Sequence, residues 1–128
     1  MFELAAIEAA HSKVKSGADF PNYINEIHAL GVQRFETWAT DSHTVYFGEN
    51  NFEVQAPAAF SPFNIADQCH LNQFQERLKL HQQGQTDYVT FCADCAANGI
   101  EKWVMDLNAK TCSYFDKANN VQLVEMLP

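Results

Sequence analysis

Four cysteines, five histidines and sixteen acids supply most of the reactive chemistry in these 128 residues. Cys92-Ala93-Asp94-Cys95 has the spacing that ligates zinc or forms a redox couple. A structural zinc site needs four ligands, and the remaining candidates, Cys69, His70, His81 and Cys112, are scattered with no second cysteine pair. A redox pair belongs at a helix N-terminus, whereas Cys92 falls inside a helical pattern. Cysteine also packs as a small hydrophobe, and that is the reading adopted here, with no metal and no cofactor assigned.

Asp41-Ser42-His43 holds the residue types of a hydrolytic triad, but triads converge in space and are not built from sequence neighbours. Asp and Ser are ordinary turn residues. Glu36, Asp41 and Glu53 could serve as acid–base carboxylates, yet nothing in their spacing brings two together. No phosphate loop, nucleophile elbow or dinucleotide fingerprint is present. No constellation points to catalysis. The aromatic residues are the better cue. Trp38 alternates with Phe35 and Thr37, so it shares a strand face with Arg34 and Glu36 and is expected on an open sheet face near Tyr46. Phe60 and Phe63, in a short linking segment, need shelter and either cover that face or add to it. Trp38, His43, Tyr46, Phe60, Phe63 and Tyr114 are therefore the candidate binding residues.

The elements that would position them occur twice. Gly31-Val32-Gln33-Arg34-Phe35 recurs as Gly99-Ile100-Glu101-Lys102-Trp103, 68 residues later. At the same displacement Tyr46-Phe47 falls on Tyr114-Phe115, Asp19 on Asp87, and Tyr23, Ile24 and Ile27 on Phe91, Cys92 and Cys95. Such self-similarity is the signature of one supersecondary unit used twice. Leu4, Ile7, His11 and Val14 are spaced for one helix face, matched by Leu71, Phe74, Leu78 and His81 at a displacement of 67. His11 and His81 are expected within apolar stripes. Gly17 and Gly84 end these helices.

Asp19 and Asp87 are suited to cap a second helix in each unit, with Pro21 in the first turn. Gly31 and Gly99 end those helices in a left-handed residue. Hairpins follow over 34–48 and 101–116, and third strands over 52–55 and 121–126. The pattern predicts an α+β fold: a helix-helix-strand-strand-strand unit used twice, its antiparallel sheet covered by helices on one face, with a pseudo-two-fold relation. One domain is expected, built from pseudo-repeats 1–56 and 65–128 joined by a connector at 57–64, with a shared core.

A formal charge of −8 excludes the clustered cations that nucleic acid or an anionic membrane requires. The acids are dispersed, which ranks mimicry of nucleic acid last. No window of 18 apolar residues could span a bilayer, and Met1-Phe2-Glu3-Leu4 does not open a secretory leader. The expectation is a cytoplasmic protein with reduced thiols.

His11-Ser12-Lys13-Val14-Lys15-Ser16-Gly17-Ala18-Asp19-Phe20-Pro21, His43-Thr44-Val45-Tyr46-Phe47-Gly48 and Gly99-Ile100-Glu101-Lys102-Trp103-Val104 resemble the YdfO-like family of small prophage-associated bacterial proteins, some of which are labelled phage envelope protein. The resemblance spans nearly the whole chain and implies an α+β domain of unknown function with no established catalytic residues. The leading functional expectation is an accessory protein that binds a protein partner or forms a homodimer. The alternative is a small-molecule-binding module or minor enzyme, its pocket at the junction of the halves lined by Trp38, His43, Tyr46 and Tyr114.

Overall fold

The computed structural model describes residues 1–15 and 19–127, so the turn expected at Gly17 lies outside the described residues. Helices α1 (Leu4–His11) and α2 (Phe20–Leu30) precede strands β1 (Arg34–Trp38), β2 (Thr44–Phe47) and β3 (Glu53–Ala56). Helices α3 (Leu71–Gln82) and α4 (Tyr88–Ala97) precede β4 (Ile100–Asp106), β5 (Thr111–Asp116) and β6 (Val121–Met126). The fold class is α+β, with all six strands in one antiparallel sheet of order β3-β2-β1-β4-β5-β6.

Local chemistry explains where the elements stop. Gly31 ends α2 with φ 114°, and the next residue, Val32, is fully buried. Gly99 follows α4 with φ 80° and is likewise succeeded by a fully buried Ile100. The Asp87 carboxylate accepts the Thr90 N–H at 2.8 Å and so caps α4, which holds its own carboxyl below the usual range. Asp19 behaves differently. It makes no side-chain cap to α2 and instead accepts the Lys15 N–H at 3.0 Å.

The sheet is covered on one face. Ile7 and Ala10 of α1 and Tyr23, Ile24 and Ile27 of α2 pack with Phe35, with Tyr46 and Val54 at the margin. Phe74 and Leu78 of α3 and Phe91, Cys92 and Cys95 of α4 pack with Trp103, Cys112 and Tyr114. These strand residues are the alternate ones, so both helix pairs lie on the same side. The expected shared interior is two clusters of buried residues, with Met105 and Leu127 packed against both.

One expected stripe residue is displaced. His11 is exposed and meets Tyr23 edge-on at 5.2 Å, while Ala10 takes the buried place. A helix of eight residues has little more than two turns, and with Phe2, Ile7 and Ala10 buried His11 falls on the outer side. His81 is half-buried, its ring stacked on Phe91 at 4.3 Å.

Candidate functional site: the open face of the sheet

Alternation and register define what the uncovered face carries. Arg34, Glu36 and Trp38 point away from the Phe35 side, and their partners Phe47, Val45, Asp106, Val104 and Lys102 do the same. Phe115 continues the row beyond Lys102, and Val124 lies opposite Ser113 on edge strand β6. Val124 is 54% exposed and Met126, opposite Thr111, is 72% exposed. An apolar strip thus crosses a sheet face that no helix covers.

Charge is concentrated at its centre. The Glu36 carboxylate receives Lys102 Nζ at 3.2 Å and lies 3.8 Å from the Arg34 guanidinium. Each cation also rests on an aromatic ring. Arg34 lies 3.9 Å from the Phe47 centroid, and Lys102 Nζ lies 5.0 Å from that of Phe115 and 5.6 Å from that of Trp38. The Glu36 and Lys102 side chains are 16% and 19% exposed, so the pair is largely withdrawn from water although nothing from the helical layer lies above it. Burial of this degree comes from the flanking rings and the cations' own alkyl stems.

Trp38 continues into the β1–β2 turn. Its ring stacks on His43 with centroids 4.5 Å apart and planes 8° from parallel. Asp41 holds that imidazole, accepting from the His43 backbone N–H at 3.0 Å and bonding Nδ1 at 2.6 Å. Burial pushes the Asp41 carboxyl up, but these bonds from His43 outweigh it and hold the group below its ordinary value. Ser42 takes no part in this pair: it has φ 68° and its hydroxyl bonds Tyr88 Oη at 2.7 Å. The run Asp41-Ser42-His43 is therefore a turn that presents a stacked Trp–His pair.

Not all six expected residues come together. Trp38 and His43 do, beside Lys102. Tyr46 lies directly opposite Phe35 and so on the helix-covered face, with ring centroids 5.4 Å apart. Tyr114 is opposite Trp103, 5% exposed and 5.1 Å from Phe74. Register decides this, because a cross-strand partner shares its neighbour's face. A pocket shared by Trp38, His43, Tyr46 and Tyr114 gains no support, since the first two and the last two belong to different surroundings. Phe60 and Phe63 pack on each other at 5.3 Å and against the cluster beneath α3 and α4. The Ala59 N–H donates to the Asp41 carbonyl at 2.8 Å and that of Phe63 to the Thr40 carbonyl at 2.7 Å, which ties the connector to the end of β1 and turns its rings inward.

The thiols complete the picture of the interior. Cys92 and Cys95 are fully buried and Cys112 is 2% exposed. Burial pushes the Cys92 thiol up to about 11 and the Cys112 thiol to about 12, and raises Cys95 well above its ordinary value. All three fill space between α4 and the sheet.

Sequence reasoning passed over one concave feature. A groove of about 450 Å³ lies at the end of the first half, lined among others by His28, Leu30, Gly31, Glu49, Asn50 and Asn108. His28 Nε2 meets Asn108 Oδ1 at 2.9 Å there, joining α2 to the β4–β5 turn. The signal was available in Gly48-Glu49-Asn50-Asn51, where Asn50 and Asn51 adopt φ 55° and 63°.

A six-stranded antiparallel sheet with two helix pairs on one face and an aromatic, charge-centred opposite face defines the class. The chain belongs to the family described as "Protein of unknown function (DUF1398)", whose model matches residues 8–126. No curated protein matches it. No helix among the described residues is long and apolar enough to cross a membrane.

Proposed function

We propose that this protein acts by binding, through the open sheet face, either a partner protein or a second copy of itself. One observation carries the reading. Trp38, Phe47, Val104, Phe115 and Val124 are partly exposed around the Arg34–Glu36–Lys102 cluster on a face without a helical layer, and exposed apolar groups gathered in this way on folded domains mark contact sites. The largely buried Glu36–Lys102 pair at its centre would give orientation and selectivity, since desolvated charges tolerate few wrong neighbours. The prophage-type, YdfO-like affiliation and a cytoplasmic working place belong to the same proposal, as does the origin of the fold by internal duplication. The reciprocal registers across β1 and β4 support that origin.

The test compares wild type with the Trp38→Ala/Phe115→Ala double variant, by light scattering at several concentrations and by capture from bacterial lysate. Wild type should self-associate, or retain a partner, in a way the folded double variant does not. Identical mass and identical captured proteins for both would refute the reading.

A further inference from the structure

Residues 63–70 show how this fold holds an extended segment. The Thr40 hydroxyl donates to the Phe63 carbonyl at 2.7 Å, beside the Phe63 N–H bond to the Thr40 carbonyl. The Ala66 N–H donates to the Ala96 carbonyl at 2.8 Å and that of His70 to the Asn98 carbonyl at 2.9 Å. Lys117 Nζ reaches the Asp67 carboxylate at 2.9 Å and the Ile65 carbonyl at 3.5 Å. The segment passes so close to Gly99 that a β-carbon there would stand 2.3 Å from the Gln68 carbonyl oxygen. Five positions therefore seat it: Thr40, Ala96, Asn98, Gly99 and Lys117.

Displaced by 68 residues, those positions are Asn108, His28, Leu30, Gly31 and Glu49. All five line the 450 Å³ groove. Cys69 Cα would lie 2.8 Å from a β-carbon on Gly99, whereas its counterpart Phe2, 67 residues earlier, brings its ring Cδ2 to 3.6 Å from one on Gly31. At Gly99 the space holds residues 63–68, whereas the groove beside Gly31 is lined by Met1 and Phe2.

We infer that this groove binds an extended peptide segment of a partner protein, laid as residues 63–67 are laid and carrying a basic side chain opposite Glu49. Main-chain hydrogen bonds with a few side-chain contacts are an established way to hold extended peptides. Asn108, whose amide oxygen already meets His28 Nε2, offers its amide N–H as a donor where Thr40 offers its hydroxyl. The charge is reversed: Lys117 meets Asp67, and exposed Glu49 stands in the position of Lys117, so a cation is selected where the connector supplies an acid. An exposed pair of this kind sets preference rather than affinity, on the order of a few-fold. The groove does not involve the open sheet face, and its test reads separately from that one.

Two nine-residue peptides with the sequence of residues 60–68, one natural and one carrying Asp67→Lys, would be titrated into isotope-labelled protein and followed by amide chemical shifts. The Asp67→Lys peptide should give saturable shifts at Gly31, Glu49 and Asn108, with about three- to fivefold tighter binding than the natural peptide. In the exposed-site variant Glu49→Lys the order of the two peptides should invert. No saturable shift at these residues, shifts centred on Gly99 instead, equal binding of a scrambled peptide, or an order indifferent to Glu49→Lys would each overturn the inference.

Discussion

Glu36 lies directly opposite Val104 across the β1–β4 pair, and the two occupy positions 68 residues apart in the chain. Around them the register is reciprocal: Arg34 faces Asp106 and Trp38 faces Lys102. The Ala39 N–H donates to the Glu101 carbonyl at 2.8 Å, and the Leu107 N–H donates to the Gln33 carbonyl at 2.9 Å, each bond being the other displaced by 68. Left-handed residues recur in the same way, at Gly31 and Gly99, Ser42 and Lys110, and Asn51 and Asn119. Within this frame Glu36 is the departure that matters. It places a carboxylate at the centre of the open face, between two cations, where its counterpart is an apolar valine.

Two glycine substitutions separate backbone strain from close approach. Gly31→Ala should cost about 1–2 kcal/mol, the penalty of a left-handed non-glycine residue, because the nearest side-chain atom is 3.6 Å from the new methyl. Gly99→Ala carries the same penalty and also drives a methyl to within 2.3 Å of the Gln68 carbonyl oxygen, so it should cost more and loosen residues 63–70. Urea unfolding with amide exchange of the connector would check both. Equal costs would contradict the seating of that segment on Gly99.

Thiol titration tests the role given to cysteine. In the native protein at pH 8, Cys92, Cys95 and Cys112 should resist a soluble disulfide reagent, because burial both shields them and suppresses the thiolate. Half-buried Cys69 should be the first to react, slowly, since burial raises its thiol too. All four should react at once in denaturant. Fast native reaction of Cys92 or Cys95 would revive a redox role.

His81 should make stability fall on mild acidification. Burial against Phe91 holds its imidazole below the ordinary value, against the opposing pull of the Thr86 carbonyl, Asp87 and Asp94. The unfolded chain then binds the proton more readily. The contribution of neutral His81 is complete above about pH 6.5 and is lost as pH falls through the lower folded value. Urea midpoints from pH 7.5 to 5 should show this slope, and His81→Phe should flatten it.

Asp41 acts in a more acidic window. Its folded carboxyl is held down by the two bonds from His43, so its contribution is present above about pH 3.9 and disappears as pH drops through the depressed value. Asp41→Ala should remove that slope and cost about 1–2 kcal/mol at neutral pH for two lost turn bonds. Near-ultraviolet circular dichroism should also change, since the Trp38–His43 stack loses its anchor.

Much of the architecture was legible because its determinants are local. Side-chain period marked the helices and strands, Gly31 and Gly99 marked two ends, and the displacement of 68 predicted that Cys92 and Cys95 would be buried as Ile24 and Ile27 are. The face of Trp38 followed from alternation within a single strand. Long-range pairing decided the rest. Tyr46 went to the helical side because β2 registers it against Phe35, and Glu36 met Lys102 because β1 and β4 are neighbours at the sheet centre. The direction of Phe60 and Phe63, and the seating of residues 63–70 against Gly99, depend on where a loop crosses residues far away in the chain. Periodicity is written in neighbouring residues, whereas register and loop course are settled only when distant surfaces compete to be buried.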